Sequence, residues 1–278
     1  MIIDFHTHIF PDSLAPRALE SLVNNIKVHT PQVLLKRSSL ANPATNLTLA
    51  DTLSKMDKNG IDISVVQPVI TKPTQTVKLN EFAAKIMAEN KERIVSFGGI
   101  HPQSDDWKRD IDFVCSLGLK GLKFHAEYQG FVVDAPEMLR IYDYAFSKGL
   151  IILHHAGADL GMPKPYKSSP AQFARIAKEL KGGVTVAAHF GGHEQWDEVE
   201  KYIVGTDIFI DTSMGFEYYS EEQFLRIVRA HGANKVLFAT DCPWSNAEQE
   251  IKALKDTPLT PEEKEMIFYA NAKKLLKI

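Results

Sequence analysis

IIDFHTH, at residues 2–8, joins a short apolar strand to two closely spaced histidines. The hydrophobic, β-branched start is typical of a buried strand, which we place at residues 2–7. Because side chains alternate between the two faces of a strand, His6 and His8 are expected on the same face. Two imidazole nitrogens that converge at a strand end suit a first-row divalent cation, although two polar strand-end residues bonded to loops would be the simpler explanation.

Seven further segments have the same apolar, β-branched character, and most end in Gly, Pro, Asp, Thr or His before a stretch with helical spacing. They are residues 61–68, 94–101, 119–125, 150–156, 184–190, 207–212 and 235–240. Eight strands that alternate with helices predict an α/β fold, namely a (β/α)8 or TIM barrel. No GxGxxG, GxxxxGKS or GxxxxGKT sequence follows any of these strands, so the open nucleotide-binding folds are disfavoured.

Amphipathic segments lie between the strands, with apolar residues at intervals of three and four. They include residues 77–90, 135–147, 170–180 and 221–230. Pro136 and Pro170 suit the first turn of a helix, and Ser220 is placed to cap the helix that follows it. A last helix is expected from Thr260 and Pro261 to the end of the chain.

The chain has 278 residues, which fits one barrel of roughly 250 residues, and it contains no internal repeat or linker. We therefore expect a single domain over residues 1–278. Residues 9–50 are the irregular region, because they contain four prolines and separate the first strand from a helix expected near residues 47–59. We expect a long loop here that forms a lid or one wall of the site.

The composition disfavours several classes of partner. A hydrophobic content of 44% without a run of about 20 apolar residues argues against a membrane span, and a formal charge of −3 with scattered Lys and Arg gives no surface for nucleic acid. Cys115 and Cys242 form no CxxC pair, and the chain begins without a basic and apolar cleavable segment. We expect a cytoplasmic protein whose partner is a small molecule.

Histidines concentrate at the carboxyl ends of the expected strands. Eight of the ten lie at or just past such an end, namely His6, His8, His101, His125, His154, His155, His189 and His193. The eighth strand runs into Asp241, which we expect at its last inward position. In (β/α)8 enzymes the catalytic groups come from these strand ends and the loops after them. The placement indicates a site built from several strands, although a lone Asp at a strand end is more often an Asx turn or a helix cap.

The fifth strand ends in two adjacent histidines, His154 and His155. Alternation lets only one of these rings face the barrel axis, so one ligand is expected here, and the residues themselves leave the choice open. The sixth strand ends in AHFGG at residues 188–192, where paired glycines let a substrate approach the backbone closely.

Five motifs occur in order along the chain: DFHTH at residues 4–8, GLKFH at 121–125, HAG at 155–157, AHFGG at 188–192 and ATDCPW at 239–244. Together they resemble the metal-dependent amidohydrolase superfamily. The likeness is to the amidohydrolase-related branch, which includes the aminocarboxymuconate-semialdehyde and γ-resorcylate decarboxylases. The resemblance spans the whole chain and implies a metal-dependent barrel enzyme, with a homodimer as the common assembly.

The resemblance implies one divalent cation, whose ligands from the first and eighth strands are His6, His8 and Asp241. It adds His155 rather than His154, because the fifth-strand ligand of this branch stands just before a small residue and a Gly. We expect Zn²⁺, with Mn²⁺ and Fe²⁺ as alternatives. The resemblance also implies that His189 lies beside the bound water or substrate.

Four further residues are expected to contact the substrate: Lys123, His125, Trp244 and His101. Some members of the superfamily bridge two metal ions with a carboxylated lysine on the fourth strand, where this chain has Lys123. The branch usually holds one metal without that bridge, so we interpret Lys123 as a substrate contact or a structural lysine. For His125, a hydrogen bond to a loop is an equally good explanation.

Two reactions fit the implied ligand set. In hydrolysis, the main expectation, Asp241 removes a proton from a metal-activated water and His189 stabilises the charge on the attacked carbonyl oxygen. In non-oxidative decarboxylation of a small aromatic or unsaturated acid, Asp241 or His189 supplies the proton that replaces CO2. A barrel that only binds a ligand is a third alternative, which the intact ligand set disfavours.

Overall fold

Eight parallel strands form the centre of the molecule. The computed structural model describes residues 1–29, 43–159 and 162–278. The strands are β1 Ile3–Thr7, β2 Ile63–Val66, β3 Ile94–Ser96, β4 Gly121–Phe124, β5 Ile151–His154, β6 Thr185–Ala187, β7 Phe209–Asp211 and β8 Val236–Leu237. Each strand lies within the range expected from the sequence and is shorter than that range, because the apolar runs continue past the paired residues.

The strands form two hydrogen-bonded groups, β1 to β3 and β4 to β8, which close into a ring. At one seam Gly98, just past β3, pairs in parallel with Leu122 of β4. At the other seam Thr7 of β1 pairs in parallel with Cys242, beyond the end of β8. The (β/α)8 barrel expected from the sequence is therefore confirmed.

Helices follow the strands around the ring. They are α1 Ala15–His29, α2 Leu49–Asn59, α3 Thr76–Glu89, α4 Trp107–Ser116, α5 Ala126–Gln129, α6 Pro136–Ser147, α7 Pro170–Glu179, α8 Trp196–Tyr202, α9 Glu221–His231, α10 Ala247–Asp256, α11 Pro261–Glu265 and α12 Asn271–Leu276, with a π-helical turn Met266–Ala270 between the last two. The hydroxyl of Ser220 accepts from the N–H of Gln223 at 3.2 Å, as expected of a cap. Within the described ranges, no helix combines the length and the apolar character that crossing a membrane requires.

Strand side chains alternate between the inside of the barrel and the helix layer. Leu153 belongs to the cluster of apolar side chains inside the ring. Its neighbour Ile152 packs in the outer cluster, which includes Phe173 of α7. This alternation directs His155 inward and His154 outward.

Part of the region 9–50 is helical, which corrects the expectation of a long loop. Helix α1 lies within it, whereas residues 30–42 fall outside the described part of the chain. Leu14, Ala18 and Leu22 recur with helical spacing, and the neighbouring prolines obscured this pattern in the sequence. Leu14, just before the helix, and Ala18 and Leu22 within it line the central cavity, so this segment forms one of its walls.

Candidate active site

A cavity of about 690 Å³ is lined by residues from the carboxyl ends of the strands and from the loops that follow them. The polar part of the lining is His6, His8, Arg17, Ser21, Thr71, Lys72, Gln75, Lys123, His125, His155, Asp159, His189, His193 and Asp241, with Tyr128 beside them. The apolar part is Phe10, Leu14, Ala18, Leu22, Leu47, Val69, Leu79, Ala158, Met214 and Trp244. Every site residue expected from the sequence lines this cavity except His101.

His6, His8 and Asp241 converge within the cavity, since one ligand atom from each lies within 4.8 Å of the others. Oδ1 of Asp241 is 3.2 Å from Nε2 of His6 and 2.9 Å from Nε2 of His8. The N–H of Asp241 donates to the carbonyl of His6 at 2.8 Å, which fixes the two chain segments side by side. The residues expected to meet from the first and eighth strands are therefore together.

Hydrogen bonds on the far side of each ring decide which nitrogen carries the hydrogen. Nδ1 of His8 lies 2.7 Å from the carbonyl oxygen of Gln67, which can only accept. Nδ1 of His6 lies 3.2 Å from Oδ2 of the buried Asp211. In neutral rings both Nδ1 atoms therefore donate, and both Nε2 atoms present lone pairs toward Asp241.

Two lone pairs and a carboxylate oxygen repel one another when no hydrogen or cation lies between them. Burial lowers the pKa of His6 well below its ordinary value of 6.5, and Lys123 adds to the effect, so this ring is neutral at pH 7. Burial alone would raise the pKa of Asp241, but His6, His8 and Lys123 outweigh it and hold that pKa below its ordinary value. The three donors therefore fit a divalent cation.

Asp4 connects the first and eighth strands beside this group, and the sequence interpretation overlooked it. Its carboxylate accepts from the N–H of His6 at 3.2 Å and from the N–H and the hydroxyl of Thr240 at 2.9 and 2.6 Å. Burial raises the pKa of Asp4 to about 6. By bonding to residues of both strands, Asp4 fixes the position of His6 relative to Asp241.

The two adjacent histidines of β5 face opposite sides of the barrel wall. The ring of His154 stacks on Phe124 with centroids 5.6 Å apart and packs against Tyr142 and Phe173. His155 lines the cavity, and its buried Nε2 has no hydrogen-bond partner among the described residues. The buried Nε2 of His154 has no partner there either, but the ring of His155 is the one that lines the cavity, where a ligand or cation can complete it.

His155 belongs to a second group of neighbouring ligand atoms, with His125 and Asp159, rather than to the group around Asp241. The rings of His125 and His155 lie face to face, with centroids 4.2 Å apart and planes 15° apart. Nε2 of His125 is 3.1 Å from Oδ2 of Asp159, and Tyr128 also stacks on His125 at 3.9 Å. Nearly parallel rings point their nitrogens side by side rather than at one point, so this group is a less favourable place for a cation than the group around Asp241.

Lys123 is a buried cation at the centre of the site. Its Nζ lies 2.9 Å from Nε2 of His6, and the residue is 1% exposed. Burial lowers its pKa to about 8, although the carboxylates of Asp241, Asp211 and Asp159 oppose the change. In this position the ammonium group can contact an anion bound in the cavity.

His189 lies between His6 and His155, with ring centroids 5.5 Å and 4.7 Å from theirs. Its Nε2 is 3.0 Å from Nδ1 of His155, and its Nδ1 is 2.9 Å from the hydroxyl of Ser213. Burial lowers the pKa of His189 well below its ordinary value. His189 is therefore a neutral ring whose two nitrogens both form hydrogen bonds with protein groups.

The HAG and AHFGG motifs meet through their main chains. Gly157 pairs with His193, and the N–H of His193 donates to the carbonyl of Ala156 at 2.9 Å. The φ of Gly157 is +82°, and a Cβ at this position would lie 2.2 Å from the nitrogen of His193, so only glycine fits. This close approach holds His155 beside His189.

Backbone strain is present at four residues that line the cavity. Leu47, His189, Met214 and Asp241 have φ values of 62°, 55°, 48° and 59°, in the left-handed region that residues with a side chain rarely adopt. Conformations of this kind cost on the order of 1–3 kcal/mol each and cluster at functional sites. The strain supports the assignment of this cavity as the site.

His101 does not fit its expected role as a substrate contact. It is absent from the described residues that line the cavity, and its Nδ1 accepts from the N–H of Gln103 at 3.2 Å. Strand β3 ends at Ser96, so His101 lies in the loop beyond it and stabilises a turn. Trp244 lines the cavity as expected.

The sequence interpretation missed Gln67, Asp211 and Ser213, which orient the histidines of the site. All three lie at or just past strand ends, where the rule that selected Asp241 applies equally. The signal was therefore present for Asp211 and Ser213, as a carboxylate and a hydroxyl in the stretch 211–213. Gln67 bonds to His8 through its main-chain carbonyl, which a side-chain pattern does not reveal.

Comparisons with solved structures give barrels of the same fold. A 5-carboxyvanillate decarboxylase from Sphingomonas paucimobilis is 17% identical with a TM-score of 0.71, and the match covers 100% of this chain and 99% of that chain. An uncharacterised TIM-barrel protein from Bordetella bronchiseptica is 17% identical with a TM-score of 0.78 and coverages of 99% and 98%. A dihydroxybenzoic acid decarboxylase from Polaromonas sp. JS666, with bound manganese and the inhibitor 2-nitroresorcinol, is 14% identical with a TM-score of 0.70 and coverages of 99% and 96%.

At these identities the likeness concerns the fold alone. No curated protein matches the chain. A family model described as Amidohydrolase matches residues 3–278, nearly the whole sequence. This match confirms the resemblance inferred from the five motifs, and the chain belongs to the amidohydrolase family.

Proposed function

We propose that this protein is a metal-dependent, non-oxidative decarboxylase of a small aromatic or unsaturated carboxylic acid. The observation that carries the proposal is the convergence of His6, His8 and Asp241 in a cavity whose remaining walls are mostly apolar. Similarity in fold to decarboxylases of aromatic acids supports this alternative better than the hydrolysis expected first from the sequence.

His6, His8 and Asp241 would hold the cation. We assign His155 as the fourth ligand because its ring lines the cavity and its buried Nε2 lacks a partner among the described residues. Nε2 of His154 lacks one too, but that ring packs on Phe124 and does not line the cavity. When bound, a divalent cation supplies a fixed positive charge for the carboxylate or a neighbouring hydroxyl of the substrate. Imidazole and carboxylate donors suit Zn²⁺, Fe²⁺ and Mn²⁺. The dihydroxybenzoic acid decarboxylase of similar fold contains manganese, so Mn²⁺ and Zn²⁺ are the first choices for reconstitution.

Decarboxylation breaks the bond between the substrate carbon and its carboxylate, releases CO2 and leaves the electron pair on that carbon, which then takes up a proton. The carboxylate loses its charge as CO2 forms. Apolar walls such as Phe10, Leu79 and Met214 solvate that charge poorly, so they destabilise the acid more than the neutral product. The proton comes from solvent, and we assign its transfer to the carbon to Asp241 or His189, which line the cavity.

Cationic side chains suit an anionic substrate. Lys123 lies at the buried end of the cavity beside His6, and Arg17 and Lys72 line its exposed part. Within the described ranges, neither Arg17 nor Lys72 forms an ion pair with a carboxylate of the protein. We propose that these two charges attract the acid to the opening of the cavity.

The reaction can be tested with purified protein reconstituted with Mn²⁺ or Zn²⁺ and offered hydroxybenzoic acids, unsaturated dicarboxylic acids, lactones and amides. We expect one CO2 for each acid consumed and, in D2O, one deuterium at the carbon that lost the carboxylate. Chelator-treated protein is the control and should release no CO2. Turnover of lactones or amides without CO2 release from any acid would establish hydrolysis instead.

A further inference from the structure

Asp211, the last residue of β7, accepts hydrogen bonds from three groups through one oxygen. Its Oδ1 lies 3.0 Å from the backbone N–H of His189 and 3.1 Å from the backbone N–H of Ser213. Backbone N–H groups can only donate, so this oxygen is an acceptor. The hydroxyl of Ser213, 2.5 Å away, must therefore donate its single hydrogen to Asp211.

The direction of this hydrogen bond determines the directions of two further hydrogen bonds, between Ser213 and His189 and between His189 and His155. Because the hydrogen of Ser213 is used, its oxygen accepts from Nδ1 of His189 at 2.9 Å. Nε2 of His189 then carries a lone pair, and it accepts from Nδ1 of His155 at 3.0 Å. Nε2 of His155 is left with a lone pair and has no partner in the described chain.

The second carboxylate oxygen of Asp211 fixes the hydrogen of a histidine on the first strand in the same way. Oδ2 lies 3.2 Å from Nδ1 of His6, which places the hydrogen of that ring on Nδ1 as well.

We infer that Asp211 and Ser213 are positioning residues that fix the hydrogen of His6, His189 and His155 on Nδ1. Each ring then presents an unprotonated Nε2. That of His155 has no partner among the described residues, and that of His6 faces Lys123 and Asp241, where its lone pair is available to a cation bound by Asp241. Partners of this kind raise the basicity of metal-binding histidines and orient their rings. The inference rests on the proposed function only in naming what the freed nitrogens bind.

The test is Ser213→Ala in protein labelled with ¹⁵N-histidine, with NMR recorded on the metal-free protein and kinetics measured after reconstitution with Zn²⁺. In the wild type, NMR should report hydrogen on Nδ1 of His6, His155 and His189. In Ser213→Ala, His189 loses its acceptor and should carry hydrogen partly on Nε2, with kcat about 10- to 100-fold lower and KM little changed. Ser213→Thr retains the hydroxyl and should restore the Nδ1 form and most of kcat.

Thr212→Val is the matched control, because Thr212 is the adjacent buried hydroxyl and bonds to the carbonyl of Ala239 at 3.2 Å. This variant should be less stable but should keep the histidine tautomers of the wild type. Hydrogen on Nε2 of His189 in the wild type, or unchanged tautomers in Ser213→Ala, would overturn the inference. The NMR measurement needs no substrate, so a failure of CO2 release would count against the proposed function alone.

Discussion

Replacing Asp241 with asparagine is expected to lower kcat for CO2 release by about 10³-fold or more. Asparagine keeps the size of the side chain but loses the negative charge and cannot transfer a proton. The affected oxygen lies 2.9 Å from Nε2 of His8 and 3.2 Å from Nε2 of His6. The variant should therefore bind the cation less tightly and protonate the product carbon more slowly. Steady-state kinetics of the reconstituted variant measure the combined effect on kcat.

Asp110→Asn is the matched control for this substitution. Asp110 in α4 is also buried, but its carboxylate accepts from the hydroxyl of Ser104 at 2.6 Å, outside the cavity lining. This variant should turn over substrate like the wild type. If Asp241→Asn were as active as Asp110→Asn, the assigned role of Asp241 would be wrong.

His155→Ala is expected to lose most of the bound metal, whereas His154→Ala is expected to keep it. The first variant removes the inward nitrogen that lacks a partner among the described residues. The second empties a site among Phe124, Tyr142 and Phe173, which should lower the free energy of unfolding by on the order of 2–4 kcal/mol.

Metal content after dialysis, measured by elemental analysis, and denaturant unfolding separate these two effects. The two variants differ only in which adjacent histidine is removed, so each serves as the control for the other. Equal metal content in both would contradict the choice of His155 as a ligand.

The barrel and the core of the site were predictable because they follow from short-range patterns. A strand that is buried on both faces has a continuous apolar sequence, as residues 150–156 do. Parallel strands of a barrel end on one face, so residues at their ends meet there. For this reason the sequence alone predicted that His6, His8 and Asp241 lie close together.

Other features depend on information that a local pattern does not contain. The apolar spacing of helix α1 is interrupted by prolines that also mark loops, so the sequence alone favoured a loop. The apolar run that contains His101 continues beyond the last paired residue of β3, which misplaced this side chain at the site.

The role of Asp211 illustrates a second limit. It orients His6 across the barrel, although 205 residues separate the two in the chain. Nothing in the stretch 211–213 reveals which ring it will meet, because that depends on the closure of the barrel. The identity of the substrate is a similar case, since the apolar lining comes from side chains of many separate segments.

The metal content of the purified protein tests the central claim most directly. After incubation with Zn²⁺ or Mn²⁺ and removal of the excess, elemental analysis should find close to one divalent ion per chain. The double variant His6→Ala/His8→Ala should retain almost none under the same conditions. A wild-type protein that takes up neither ion, or a double variant that binds as much as the wild type, would contradict a cation held by His6, His8 and Asp241.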